Sequence, residues 1–172
     1  MSHTESLAHP DIGVLFVCMG NICRSPTAEG VFRKLLAERA PQLKLRVDSA
    51  GTHDYHIGQA PDARAIAAAR ARGVDISAHR GRQVSRNDFE NFDYILAMDR
   101  DNLVGLRVIR PHASRAELSL LLAFATNSPM EEVPDPYFGG PQGFEQVLDL
   151  IEQGAVGLLD RIYGVPGLQQ HR

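Results

Sequence analysis

The chain has 172 residues, of which 44% are hydrophobic and 23% are charged, a balance typical of one soluble globular domain. A formal net charge of -3 excludes the basic excess of a dedicated nucleic-acid-binding protein, and no uncharged apolar run approaches the ~18 residues that span a bilayer. Two cysteines are too few for a disulfide scaffold or a four-thiolate zinc site. We therefore expect reduced thiols, a cytoplasmic location, and neither nucleic acid nor membrane as a partner.

The chain is predicted to form one domain between two short tails. Residues 1–11 are polar, and they lack the basic start and apolar core of a signal peptide. They are therefore predicted to form a flexible N-terminal tail. Residues 12–163 are assigned to the domain and residues 164–172 to a C-terminal tail. A small domain with this surface balance is expected to be a monomer.

The first part of the domain predicts a strand, a helix and a second strand. The uncharged run Ile12–Val17 is typical of a strand buried on both faces of a parallel sheet. Ser25 is a candidate N-cap for a helix with Pro26 in its first turn, and an apolar period of three and four continues this helix to before Pro41. Leucine and valine alternate with polar residues over 43–47, which predicts the second strand. This βαβ order predicts a right-handed crossover.

Helices and strands are predicted to alternate further along the chain. Residues 62–72 favour a helix, and Gly73 is placed to end it. Ser85 and Asp88 have the spacing of a capping box at the start of another short helix. The apolar run 94–98 predicts a third buried strand.

The last third of the domain predicts two helices around an ambiguous segment. Asp99 is a candidate cap for a short helix. The leucines of 117–125 suit either a strand or a helix, and a strand is favoured weakly. A helical period runs over 144–162, where Gly154 and Gly157 either weaken the helix or permit close packing on the sheet. The whole pattern predicts a three-layer α/β domain.

The most informative segment is the loop between the first strand and the first helix, from Cys18 to Ser25. Ligands of open α/β sheets bind at this edge, and backbone N–H groups at a helix N-terminus suit an anion. Such surroundings favour the thiolate form of cysteine. Arg24 offers a planar fork of donors for two phosphate oxygens, and Ser25 can donate its hydroxyl to the thiolate. A plain βα connection with a buried cysteine is the simpler interpretation, but the combination favours phosphoryl transfer through a phosphocysteine without a metal.

The segment Val17–Pro26 resembles the signature of low-molecular-weight protein tyrosine phosphatases. Further similar segments are Asp48–Gly51, Gly58–Asp62, Phe92–Asp99 and Asp135–Gly139. The resemblance covers about residues 12–163. It implies a four-stranded parallel sheet with helices on both faces and a phosphate-binding loop after strand 1. The implied activity is hydrolysis of phosphotyrosine in proteins, with no cofactor and with phosphate or another oxyanion bound in the loop.

The resemblance also implies residue roles. Cys18 is the implied nucleophile, and Arg24 is the phosphate clamp and transition-state stabiliser. The implied phosphate-binding residues are Met19, Gly20, Asn21, Ile22, Cys23, Arg24 and Ser25. The implied supporting network, which holds this loop in shape, is Asn21, Ser25, Ser49 and His79.

A general acid and aromatic walls complete the predicted site. Asp135 alone suggests an Asp-Pro turn, but protonation of a phenolate leaving group requires an acid that the loop does not supply. The implied walls of the substrate slot are Tyr137, Phe138 and Tyr55. Phe138 stands where many family members carry a tyrosine, and Tyr55 stands where a tryptophan is common.

The histidines and the second cysteine bear on metal binding and oxidation. The histidines at 53, 56 and 112 match no family residue, and no histidine pair has metal-binding spacing, so no metal is predicted. Family members with both cysteines can protect the nucleophile reversibly. We therefore expect oxidation to join Cys18 and Cys23.

The same residues disfavour three other functions. An arsenate reductase on the same fold passes oxidation to further cysteines, and none follows Cys23. A rhodanese-like sulfur transferase leaves Asp135 unexplained. A catalytically dead phosphotyrosine-binding module would usually lack Cys18, Arg24 or Asp135. Turnover of para-nitrophenyl phosphate without added metal separates an enzyme from a binding module.

Overall fold

The computed structural model describes residues 11–164, so all of the two predicted tails except Asp11 and Gly164 lies outside it. Its centre is a four-stranded sheet in the order β2-β1-β3-β4, in which every neighbouring pair is parallel. The strands are β1 Ile12–Cys18, β2 Leu45–Gly51, β3 Tyr94–Ala97 and β4 Glu117–Leu120. The predicted α/β class and the four-stranded parallel sheet are confirmed.

Helices cover both faces of this sheet. They are α1 Arg24–Arg39, α2 Ala63–Ala71, α3 Asp88–Asn91, α4 Arg100–Ile109 and α5 Pro141–Tyr163, with a short 3₁₀ helix at Leu121–Phe124. Val14 and Phe16 of β1 share one core cluster with α1, α2 and α5, whereas Leu15 and Val17 share the other with α3 and α4. Side chains alternate across a strand, so β1 must be apolar on both faces, as its uncharged run indicated. No helix within residues 11–164 is long and apolar enough to cross a membrane.

The helix starts agree only in part with the sequence-based expectations. Asp99 caps α4 in a capping box with Asn102. The Asp88 carboxylate accepts the Ser85 N–H at 2.8 Å, which is half of the predicted box, but α3 begins only at Asp88. The prediction of Ser25 as an N-cap is wrong, because Cys23 holds that position and α1 begins at Arg24.

The ambiguous leucine segment is a strand only as far as Leu120, after which the 3₁₀ helix Leu121–Phe124 begins. A Cβ added at Gly157 would lie 1.8 Å from the Phe124 carbonyl oxygen, and one at Gly154 would lie 2.7 Å from Leu121 Cγ. The two glycines therefore let α5 approach the 3₁₀ helix closely. Close packing is confirmed, but against the 3₁₀ helix rather than the sheet.

Candidate active site

The predicted catalytic residues meet at the carboxyl edge of the sheet. Cys18 is the last residue of β1, Arg24 is the first residue of α1, and Asp135 lies in the loop before α5. All three line one pocket. Its full lining is Cys18, Met19, Gly20, Ile22, Cys23, Arg24, His56, Asp135, Tyr137 and Phe138.

The loop between β1 and α1 has an unusual backbone that neighbouring chain holds in place. Asn21 has a φ of 58°, and it is the one non-glycine residue among 11–164 with positive φ. Backbone N–H groups of Thr52 and His53, just beyond β2, donate to the carbonyls of Cys18 and Met19 at 2.9 and 3.0 Å. A Cβ at Gly51 would lie 2.7 Å from the Met19 oxygen, so this close approach requires glycine. The Asn21 N–H donates to Cys18 Sγ at 3.3 Å.

The four residues of the predicted supporting network are connected through the side chain of Asn21. Its Nδ2 donates to Ser25 Oγ at 2.8 Å and to Ser49 Oγ at 3.0 Å. Its Oδ1 lies 3.0 Å from His79 Nε2 and accepts the Arg82 backbone N–H at 3.0 Å. Asn21, Ser25 and Ser49 are buried, so these bonds replace contacts with water. Arg82 is a member of this network that the sequence did not reveal.

Ser25 acts on the thiol rather than on the helix end. Its hydroxyl lies 3.0 Å from Cys18 Sγ and 3.3 Å from the Ala50 carbonyl oxygen. Because Asn21 Nδ2 donates to Ser25 Oγ, the hydroxyl proton is left with two acceptors, the Ala50 carbonyl oxygen at 3.3 Å and the nearer Cys18 sulfur at 3.0 Å. This arrangement stabilises a thiolate by a charge-assisted hydrogen bond.

Arg24 is buried and held between two acidic side chains. Nη1 donates to Asp99 Oδ2 at 2.6 Å and to the Val133 carbonyl at 3.0 Å, and Nη2 lies 3.7 Å from Asp135 Oδ2. Burial acts to lower the pKa of Arg24, but the negative charge of Cys18 and the hydrogen bond to Asp99 outweigh it and leave the pKa raised. Sequence reasoning found Asp99 only as a helix cap. Its position two residues after the end of β3, the strand next to β1, is the signal that could have placed it at this edge.

Asp135 lies at the pocket with its carboxylate half-exposed. Oδ1 accepts the Tyr137 N–H at 3.0 Å, as expected of an Asp-Pro turn, while Oδ2 faces Arg24. Asp135 therefore forms the Asp-Pro turn with one carboxylate oxygen and faces the pocket arginine with the other, so the two interpretations of this residue are compatible.

Two of the three predicted aromatic wall residues line the pocket, and the third does not. Tyr137 and Phe138 line the pocket with ring centroids 4.9 Å apart in an edge-on contact, and Phe138 is 94% exposed. Tyr55 is absent from the lining, and its ring stacks on His53 instead. His56, which had no assigned role, lines the pocket, and its Nδ1 lies 2.8 Å from Gln59 Oε1.

The two cysteines differ in their surroundings. Both are buried and free of disulfide bonds. Burial raises the pKa of Cys23 to about 12, and the nearby Asp62 carboxylate adds to the effect. Cys23 is therefore a neutral thiol at ordinary pH.

Among residues 11–164, no group of three or more histidine, cysteine or acidic side chains could hold a metal ion.

Comparison with known proteins identifies the family. Residues 13–164 match the low molecular weight phosphotyrosine protein phosphatase family. The low molecular weight protein-tyrosine-phosphatase YfkJ of Bacillus subtilis is 42% identical over 151 residues, which cover 88% of this chain and 96% of that protein. The crystal structure of a protein tyrosine phosphatase from Entamoeba histolytica, with Hepes in its active site, has a TM-score of 0.85 and 40% identity, covering 88% and 97% of the two chains. A crystal structure described as drosophila arginine phosphatase has a TM-score of 0.82 and 34% identity, covering 88% and 98%. The chain belongs to the low molecular weight phosphotyrosine protein phosphatase family and is a phosphatase.

Proposed function

We propose that the protein hydrolyses phosphotyrosine monoesters through a phosphocysteine intermediate, without a metal. The observation that carries this proposal is the joint placement of Cys18, Arg24 and Asp135 around one pocket. A nucleophile, an anion clamp and an acid are the groups that phosphoryl transfer to a thiolate needs.

In the first step, the Cys18 thiolate attacks phosphorus and the bond from phosphorus to the tyrosine oxygen breaks. Asp135, protonated at this stage, gives its proton to the departing oxygen. Arg24 and the loop N–H groups stabilise the negative charge on the equatorial phosphoryl oxygens. The products are tyrosine, the phosphocysteine and an ionised Asp135.

In the second step, water attacks the phosphocysteine and the sulfur–phosphorus bond breaks. The ionised Asp135 takes a proton from that water, which restores the acid for the next cycle. The sulfur leaves as a thiolate, and the Ser25 hydroxyl at 3.0 Å stabilises it. Inorganic phosphate then leaves the loop.

The walls of the pocket favour an aryl phosphate. A phenyl ring between the loop and the protein surface would pack against Ile22 and Tyr137, which contribute apolar lining. Phosphoserine lacks the ring that brings its phosphate down to Cys18. The name of the drosophila neighbour makes phosphoarginine the second candidate substrate. A guanidinium group would need acceptors for its N–H donors, and Asp135 is the carboxylate of the lining.

The decisive experiment compares phosphotyrosine, phosphoserine and phosphoarginine in peptides of the same flanking sequence, with a metal chelator present. We expect phosphate release from phosphotyrosine, at a kcat/KM well above those of the other two. Rapid acid quenching should leave labelled phosphate on the peptide that contains Cys18. Label on another residue would contradict the phosphocysteine. A higher kcat/KM for phosphoarginine would reassign the substrate.

Mild peroxide is expected to inactivate the enzyme reversibly. Peroxide oxidises the Cys18 thiolate to a sulfenic acid, Cys23 sulfur attacks it, an S–S bond forms and water leaves. Because the pKa of Cys23 is about 12, its thiol must lose a proton during the attack, so disulfide formation should accelerate as pH rises. Activity should return with a dithiol reductant.

The control for oxidation is Cys23→Ser. This variant should retain substantial initial activity but recover poorly after the same peroxide treatment, because no second thiol captures the sulfenic acid. Free Cys18 and Cys23 thiols in the mass spectrum of oxidised wild type, or full recovery of the variant, would leave Cys23 with a packing role only. Because free thiols suit a reducing compartment, we propose a cytoplasmic location. We also propose a monomer, on the ground of the surface charge balance of a small domain.

A further inference from the structure

We propose that Glu29 of α1 is a positioning residue that fixes the direction of the hydrogen bonds reaching Cys18. Its Oε1 accepts the Ser49 hydroxyl proton at 2.8 Å, and the side chain is 14% exposed. This inference rests on the proposed role of Cys18 as nucleophile. Neither the motif of the loop nor the resemblance of the sequence pointed to Glu29.

The orientation of the Asn21 side-chain amide is fixed by the backbone N–H of Arg82, which can act only as a hydrogen-bond donor. The backbone N–H of Arg82 can only donate, so the Asn21 atom 3.0 Å away must be the oxygen. The Nδ2 group then faces Ser25 and Ser49 and donates to both. His79 Nε2, which faces the same oxygen, must carry its proton.

The direction of the Ser49 hydroxyl follows from Glu29. Ser49 Oγ already accepts a proton from Asn21, and an ionised carboxylate can only accept, so the Ser49 proton points to Glu29. Ser49 is thereby held as the acceptor that Asn21 requires. Asn21 in turn keeps its second N–H on Ser25, so the Ser25 proton has only Cys18 and the more distant Ala50 carbonyl as acceptors. The carboxylate therefore ends a chain of bonds that polarises Ser25 toward the sulfur.

Several charged groups surround this carboxylate. Arg33 on the same helix pairs with Oε2 at 3.0 Å, and His79 Nδ1 lies 3.5 Å from Oε1. Burial lowers the pKa of His79 below its ordinary value, while Glu29 and then Asp48 of β2 act against the shift and Arg80 acts with it. Arg33 is thus the permanent cation beside Glu29, and His79 adds a positive charge only when Nδ1 is also protonated.

Direct electrostatics and the hydrogen-bond chain predict opposite effects of removing the charge. A negative charge near a thiolate disfavours it through space, so replacing Glu29 by glutamine would increase the thiolate fraction if Coulomb repulsion dominated. If Glu29 acts through Ser49 and Asn21, the same replacement loosens the Ser25 bond and decreases the thiolate fraction. The sign of the change separates the two explanations.

The test measures the rate at which iodoacetamide alkylates Cys18 as a function of pH, with the site confirmed by mass spectrometry. Cys23 does not compete, because its pKa is about 12. Below the midpoint of the pH profile, Glu29→Gln should slow alkylation about threefold to tenfold, which corresponds to a midpoint shift of about half a unit to one unit. At high pH, where all Cys18 is ionised, the rates should converge.

Matched variants distinguish this role from a loss of stability. Glu38→Gln makes the same change at a 59%-exposed side chain of the same helix and should leave the profile unchanged. Ser49→Ala should slow alkylation by itself, and adding Glu29→Gln to it should cause no further slowing. Glu29→Asp, which keeps a carboxylate, should restore part of the rate.

Any one of three results would overturn the proposal. These are an unchanged or faster reaction of Glu29→Gln, a slowing that adds fully to that of Ser49→Ala, or a slowing that is equal at all pH values. Should Glu29→Gln not fold, Ser49→Ala decides alone, and a normal profile for it would overturn the proposal. Failure of the proposed function looks different, because phosphatase turnover would then survive complete alkylation of Cys18.

Discussion

Cys18→Ser is expected to reduce turnover by roughly 10⁵–10⁶-fold, comparable to the loss of other catalytic nucleophiles. A serine hydroxyl ionises far less readily than a thiol, so the loop and Arg24 have almost no alkoxide to stabilise. Binding of phosphate or sulfate should survive, because the loop amides and the buried Arg24 guanidinium remain. The measurements are kcat for a phosphotyrosine peptide and the Kd for phosphate by calorimetry.

The matched control is Cys23→Ser, a thiol-to-hydroxyl change in the same loop, which should retain substantial activity. Considerable hydrolysis by purified Cys18→Ser would sink the phosphocysteine mechanism. A loss of phosphate binding together with turnover would instead show that the substitution had collapsed the loop that Asn21 and Ser25 support.

Asp135→Ala should lower kcat/KM for phosphotyrosine by about 10²–10⁴-fold, the usual contribution of a general acid. The loss should shrink for nitrophenyl phosphates with acidic leaving groups, because these depart without a proton. Arg24 should stay in position, since Asp99 and the Val133 carbonyl still hold it. The check is a plot of log kcat/KM against the pKa of the leaving group, which should be steeper for the variant than for wild type; kcat/KM is used because Asp135 also acts in the second step, which is the same for every substrate.

Asp135→Asn provides the isosteric control, since it keeps the side-chain volume and the turn oxygen but has no acid proton. It should behave as Asp135→Ala does. Equal losses for phosphotyrosine and an activated nitrophenyl ester would show that another residue supplies the proton.

Local patterns were sufficient to predict most of the fold. The uncharged run of β1 required cover on both faces, and the Asp99 cap marked the start of α4. The leucines after Leu120 could not be assigned by pattern, because a buried strand and a buried 3₁₀ helix are equally apolar. Their conformation depends on the close approach of Gly157, which is remote in sequence.

The site was predictable where its groups are adjacent in the chain and less so where they meet across it. The local pattern predicts Ser25 as a cap because a hydroxyl at a helix start commonly has that role, whereas its partner in the structure is a sulfur seven positions away. Asp99 accepts a hydrogen bond from Arg24, which lies 75 positions away in the sequence, and Glu29 accepts one from Ser49, which lies 20 positions away. No local period encodes such pairs. His56 replaces Tyr55 in the lining for the same reason, since the path of the loop decides which side chain turns inward.

The backbone of Asn21 restricts how this position can evolve. Glycine would adopt the φ of 58° without strain, but it has no amide to donate to Ser25 and Ser49. Aspartate also tolerates this conformation, yet its carboxylate would accept where the amide donates and would place a second negative charge beside Cys18. Either single substitution therefore loses the bonds that shape the loop. A replacement of Asn21 therefore requires compensating changes at all the partners of its side chain, which are Ser25, Ser49, His79 and the backbone N–H of Arg82.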